Sequence, residues 1–189
     1  MAVSAADAPM VRIGFGVTRK SLLTADFPVS VAGRPRVYMD LSYRMFLDLS
    51  TGRLRMVASA IAISAADENR SRLCHWDYER DKDRGYPDAH LHIHGKSDAE
   101  IFWRPRLVNP GLDNLHFPVG GRRFRPTLED VITFLVREGI CEGRDGWWER
   151  VDSSRAEYER QQLGAAIRCD EDGAVRWLRD LGYGVTPPA

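Results

Sequence analysis

Three of the chain's five histidines fall within five residues, in Ala89-His90-Leu91-His92-Ile93-His94-Gly95. Imidazole takes or gives a proton near neutral pH, which makes it the usual carrier of acid–base chemistry. Along an extended strand successive side chains alternate, so His90, His92 and His94 share one side and Leu91 and Ile93 the other. The imidazoles then stand roughly 6–7 Å apart. That spacing is too wide for all three to reach one metal without bending, yet close enough to line a pocket. A half-buried strand with polar residues outward gives the same alternation without any chemistry.

Two other groups of residues complete a candidate site. Cleaving RNA without a metal needs a base for the 2′-hydroxyl proton, an acid for the leaving oxygen and a cation beside the phosphorus. His92 and His94 are the candidate acid–base pair, with His90 beside them. Arg80 is placed to stabilise the charge that builds on phosphorus, and Glu79 to orient a histidine or the arginine. Further on, Gly120-Gly121-Arg122-Arg123-Phe124-Arg125 forms a basic-aromatic patch. There Arg122, Arg123 and Arg125 are candidates for holding a nucleic-acid backbone. Arginines before a helix are also commonly solvated or paired with acidic neighbours.

A metal centre is not expected. His75 can join two of the strand histidines, but no acidic or cysteine ligand stands at a diagnostic spacing. Cys74, Cys141 and Cys169 are odd in number and far apart, with no CxxC pair, against both a disulfide framework and a cysteine zinc site. No cofactor is expected.

The elements that must position these residues are read next. From Val37 to Leu49 apolar residues alternate over thirteen positions, the period of a long strand with one buried face. Ser50-Thr51-Gly52-Arg53 is turn-like, and Leu54–Ser64 returns as the second strand of a hairpin. Arg72–Arg80 reads as a third strand, and the histidine segment as the fourth. Met10–Thr18 is a candidate first strand, and 19–35 reads mostly as irregular connection. The fold expected is therefore α+β: an antiparallel meander of four or five strands packed by one amphipathic helix. That helix is Thr127–Glu138, with Thr127 as N-cap, Asp130 three residues on, Gly139 just beyond, and an apolar stripe of Leu128, Val131, Ile132, Leu135 and Val136. A connector of about thirty residues from Lys96 to Arg125 precedes it, long enough to be functional or to hide an element. Two further helices, 147–168 and 172–181, form a C-terminal extension. The expected organisation is a disordered end at 1–9, an α+β domain at 10–139 and the helical extension at 140–189.

Asp77-Tyr78-Glu79-Arg80, His90-Leu91-His92-Ile93-His94-Gly95 and Thr127-Leu128-Glu129-Asp130-Val131-Ile132-Thr133-Phe134-Leu135 together resemble the TumE-type family of predicted toxins of two-gene toxin–antitoxin operons. The resemblance spans residues 77–138. It implies a β-meander, a His-X-His pair and a final helix, and with them a toxin-like or defence-associated role beside an antitoxin-like partner. The chain departs from that pattern in its N-terminal segment, its longer connector after Gly95 and its helices after Gly139. His90-Leu91-His92-Ile93-His94 is also similar to the motif of the histidine-triad family of nucleotide hydrolases and transferases. That similarity implies His92 as nucleophile on phosphorus, oriented by His90 and His94. Gly95-Lys96 departs from the family's apolar ending.

Composition sets the frame for these readings. With 189 residues, 27 basic and 27 acidic, the chain has no net charge to draw it to nucleic acid or an anionic membrane, so any basic surface is local. No apolar run approaches the ~20 residues of a membrane span and no cleavable signal pattern opens the chain, so a cytoplasmic protein is expected, with RNA and an operon-encoded protein as partners and no membrane. The competing class is a non-catalytic interaction module whose histidines are surface residues and whose C-terminal helices, with Trp147-Trp148, bind a partner.

Overall fold

A computed structural model describes residues 2–4, 9–18, 20–50, 52–81, 87–95, 112, 115–120 and 125–186. The chain is α+β and divides into two units, Met1–Gly143 and Arg144–Ala189.

The first unit is built on a mostly antiparallel sheet. Its strands are β1 (Ala2–Ser4), β2 (Met10–Gly14), β3 (Phe27–Val31), β4 (Arg34–Asp48), β5 (Arg53–Ala65), β6 (Arg72–Glu79), β7 (Ala89–Ile93) and β8 (Phe117–Pro118). Seven follow one hydrogen-bonded path, β1-β2-β4-β5-β6-β7-β8, and β3 pairs with β4 off that path. The four-strand run β4 to β7 is a sequential antiparallel meander. The sheet is larger than the four or five strands expected. Ala2–Ser4 adds to β2 where a loose end was read, β3 forms within a stretch read as irregular, and β8 lies in the long connector. These additions are short pieces of two to five residues, too short to show a period, and they form by pairing with longer neighbours.

β2 and β3 occupy the same edge of β4 in succession. Met10–Gly14 pairs with Phe46–Ser42, and Phe27–Val31 with Met39–Arg34. Gly14 stands at the break, where a Cβ would lie 2.6 Å from the Leu41 carbonyl oxygen.

The sheet's two faces are chemically distinct. On one, Val37, Met39, Ile61 and Ile63 form a buried cluster with Val131, Leu135 and Cys141, and Leu41, Cys74 and Trp76 pack against it. Val131 and Leu135 come from helix α1 (Leu128–Arg137). Thr127 caps α1: its Oγ1 accepts from the Asp130 N–H, and the Asp130 carboxylate accepts from the Thr127 N–H at 2.9 Å. Gly139, at φ +66°, follows the last turn and donates to the Val136 carbonyl.

Tyr43 sits on this face, close to Glu129 and Arg125. Burial, aided by the Glu129 charge and opposed by Arg125, pushes its phenol up to about 12. The folded chain therefore holds this proton more tightly than the unfolded chain, whose tyrosine ionises near pH 10. Stability from Tyr43 is complete below pH 10 and lost as pH rises toward 12. Between those values the unfolding free energy of the native chain is expected to fall about 2 kcal/mol further than that of Tyr43→Phe, measured by urea unfolding at each pH. Parallel curves for the two proteins would remove Tyr43 as the cause.

The second unit comprises α2 (Trp147–Cys169) and α3 (Glu171–Asp180). Asp170 ends one and caps the other, its side chain accepting from the Gly173 N–H. The Trp147 and Trp148 rings meet edge to face at 5.6 Å. Leu163, Trp177, Leu181 and Tyr183 are each more than 60% exposed. The division between units falls after Gly143, four residues beyond the boundary read from Gly139.

Candidate active site

The second face of the sheet carries the site, and the strand register lays it out in rows. Asp40, Ala62, His75 and His92 are successive partners across β4 to β7. Ser42, Ala60, Asp77 and His90 form the next row, and Arg12, Arg44, Ala58 and Glu79 the one after. At all three levels β5 contributes alanine. Neighbouring strands lie about 4.8 Å apart, so these methyl groups floor a trough roughly 10 Å across between the walls on β4 and β6. The result is a cleft of about 420 Å³ lined by, among others, Arg12, Arg44, Asp77, Glu79, His90, His92 and His116.

All five histidines gather on this face. β8 pairs Phe117 with Leu91, so His116, one residue earlier, comes beside His92. Ring centroids lie 4.4 Å apart for His75–His92, 4.5 Å for His92–His116, 4.8 Å for His90–His116 and 5.0 Å for both His90–His92 and His75–His94. His90 and His92 are buried polar side chains, 2% and 8% exposed. The alternation of β7 thus becomes a two-dimensional cluster, because the neighbouring strands add His75 and His116.

Hydrogen bonds fix several of the rings. His90 Nδ1 lies 2.9 Å from the Pro87 carbonyl oxygen, which can only accept. Nδ1 therefore carries the proton and Nε2 the lone pair. His75 is held at both nitrogens, by His94 Nε2 at 2.9 Å from its Nδ1 and by Asp77 Oδ2 at 3.4 Å from its Nε2. A proton on His75 Nε2 directed at Asp77 leaves Nδ1 to accept from His94, a chain Asp77–His75–His94. Burial raises the Asp77 carboxyl, but the His75 hydrogen bond and the positive charge that His75, His90 and His92 carry when protonated outweigh it, and the group lies below its ordinary value. Asp77 is an anion at neutral pH.

The residues read from sequence are placed as follows. His90 and His92 line the cleft, as does Glu79. His94 lies beyond the end of β7, its N–H donating to the Leu73 carbonyl and its ring bound to His75, and it is not among the lining residues. Arg80 Nε donates to the Met56 carbonyl at 2.7 Å, and Arg80 too is absent from the lining. The Arg125 guanidinium lies 4.7 Å from the ring centre of Tyr78, near Tyr43 and Glu129 on the helix side of the sheet. Arg122 and Arg123 lie outside the described residues.

Four cleft residues received no role from the sequence: Arg12, Arg44, Asp77 and His116. The register at the hairpin, with Asp48 opposite Arg53, would put Arg44 opposite Val57, and a one-residue shift between Arg44 and Met45 brings Ala58 there instead. The pairing of Arg12 with Arg44 and of β8 with β7 is long-range and left no local signal. Among the described residues Asp40 Oδ1 and Arg44 Nε are buried without a hydrogen-bond partner, a condition native structures seldom keep without a reason.

The alanine floor gives a direct test of the cleft. Ala60 lies between Ser42 and Asp77, so Ala60→Leu projects a branched side chain into the trough and leaves the packed face unchanged. Any reaction or ligand that uses the cleft is expected to weaken roughly 100-fold, the scale of a misplacement of about 1 Å. The urea midpoint should move little, and undiminished function would show that the cleft is not the working surface.

Comparison with family models, with curated proteins and with solved structures finds no match for this chain.

Proposed function

We propose that the chain is a ribonuclease of metal-independent type that works through the cleft histidines, in a toxin-like or defence-associated setting. The observation that carries this reading is the convergence of His90, His92 and His116 in one cleft with two arginines and two carboxylates. His92 is the general base, taking the 2′-hydroxyl proton as O2′ bonds to phosphorus. His116, beside it, is the acid that protonates O5′ as the P–O5′ bond breaks. The products are a 2′,3′-cyclic phosphate and a free 5′-hydroxyl. His116 replaces His94 in this assignment because His94 is bound to His75 and lies outside the lining.

Arg12 and Arg44 supply the anion-binding end. They are direct cross-strand partners, an arrangement that costs stability when nothing offsets the like charges. A phosphate held between them offsets that repulsion with charge-assisted hydrogen bonds. The resemblance over residues 77–138 supports the toxin-like setting, with an operon-encoded antitoxin-like protein as partner. The exposed apolar side chains of α2 and α3 favour the second reading, an interaction module, and also suit a catalytic chain that is held by such a partner.

The test is RNA cleavage by the purified full chain in excess EDTA, with the ends of the fragments identified, alongside growth of cells expressing it. Cyclic-phosphate ends and growth arrest are expected. Intact RNA under every condition would remove the ribonuclease reading and leave the interaction module.

A further inference from the structure

We propose that His90, His92 and His116 form a binding site for one divalent transition-metal ion of the zinc class. One ligand nitrogen from each lies within 4.8 Å of the other two. An ion equidistant from three atoms at that limit would be about 2.8 Å from each, against the ~2.1 Å of a zinc–imidazole bond, so ring movements of under about 1 Å close the site. His90 and His92 stand two residues apart on β7, and His116 directly precedes the paired strand β8, so the backbone already sets their approach.

The His90 hydrogen bond favours this trio. Metal-bound histidine characteristically donates its other ring N–H to a carbonyl or carboxylate, which turns the lone pair toward the ion. His90 does so to Pro87. His75, Asp77 and His92 make an alternative group of similar span. In that group, however, both nitrogens of His75 are engaged, by His94 and Asp77. The Asp77–His75 pair belongs instead to the surroundings, where the carboxylate opposite His90 adds negative charge beside a dication. Three neutral nitrogen donors suit zinc, copper, nickel or cobalt and are a poor set for magnesium or calcium, which take oxygen.

Binding of the ion does not depend on the ribonuclease reading, but one consequence rests on it. The lone pair that His92 gives to a metal is the one with which it would accept a proton, so an occupied site slows RNA cleavage.

The test uses the full chain, stripped with chelator. Cobalt(II) is titrated and followed by its visible absorption, and zinc(II) by competition with a chromophoric chelator. One equivalent of each is expected to bind. His90→Gln and His116→Ala should each weaken binding by roughly 100-fold or more, and His94→Ala by less than about tenfold. His116→Gln serves if the alanine variant does not fold. No saturable binding to the native chain, or unchanged affinity without His116, overturns the site, as does a His94→Ala loss equal to that of His116→Ala. RNA cleavage without metal binding removes the metal site and leaves the ribonuclease. Binding without cleavage by the stripped chain does the reverse.

Discussion

Replacing His92 by alanine is expected to slow RNA cleavage by roughly 100- to 10,000-fold, the range associated with one positioned acid or base. His92 is singled out by its position. Three histidine rings lie beside it, His75 at 4.4 Å, His116 at 4.5 Å and His90 at 5.0 Å, and it lines the cleft while only 8% exposed. The measurement is the single-turnover rate on a short RNA, with circular dichroism to establish that the variant folds. His94→Ala provides the contrast. Its ring acts on His75 rather than on the cleft, so a loss of about tenfold or less is expected, consistent with a positioning role. Equal rates for native chain and His92→Ala would remove His92 from the mechanism. A His94→Ala loss as large as that of His92→Ala would restore the pair read from the strand alone.

The largest expected loss of stability is on the opposite face. Leu135 is 1% exposed and lies in the cluster with Val37, Met39, Ile61 and Ile63. Leu135→Ala removes three carbons from that cluster and leaves a cavity that strands and helix can close only in part. A loss of about 2–5 kcal/mol is expected, read as a lower urea midpoint at unchanged slope. Metal affinity of the protein that remains folded should be unaffected, because the sheet separates Leu135 from the histidines. A loss below about 1 kcal/mol would mean that the cluster repacks freely.

How much of this was legible depends on the range of the signal. The long alternation of 37–49 and the helix bounded by Thr127 and Gly139 are local patterns, and β4 and α1 lie where those patterns put them. The shared side of His90, His92 and His94 follows from the geometry of a strand. What the sequence could not show is which distant residues come to stand beside them. His116 reaches His92 through two residues of β8 across a gap of more than twenty positions, and Arg12 reaches Arg44 through a five-residue strand. Neither carries a periodicity. The alanines at 58, 60 and 62 were visible as small residues, but their meaning as a floor emerges only when β4 and β6 stand on either side.

β5 gives its alanines to the cleft and Ile61 and Ile63 to the packed face, in strict alternation. A shift of one residue would exchange the two sets, placing isoleucines among the imidazoles and methyl groups in the apolar interior. The alignment that fills the apolar interior is thus the alignment that brings the cleft's lining residues together.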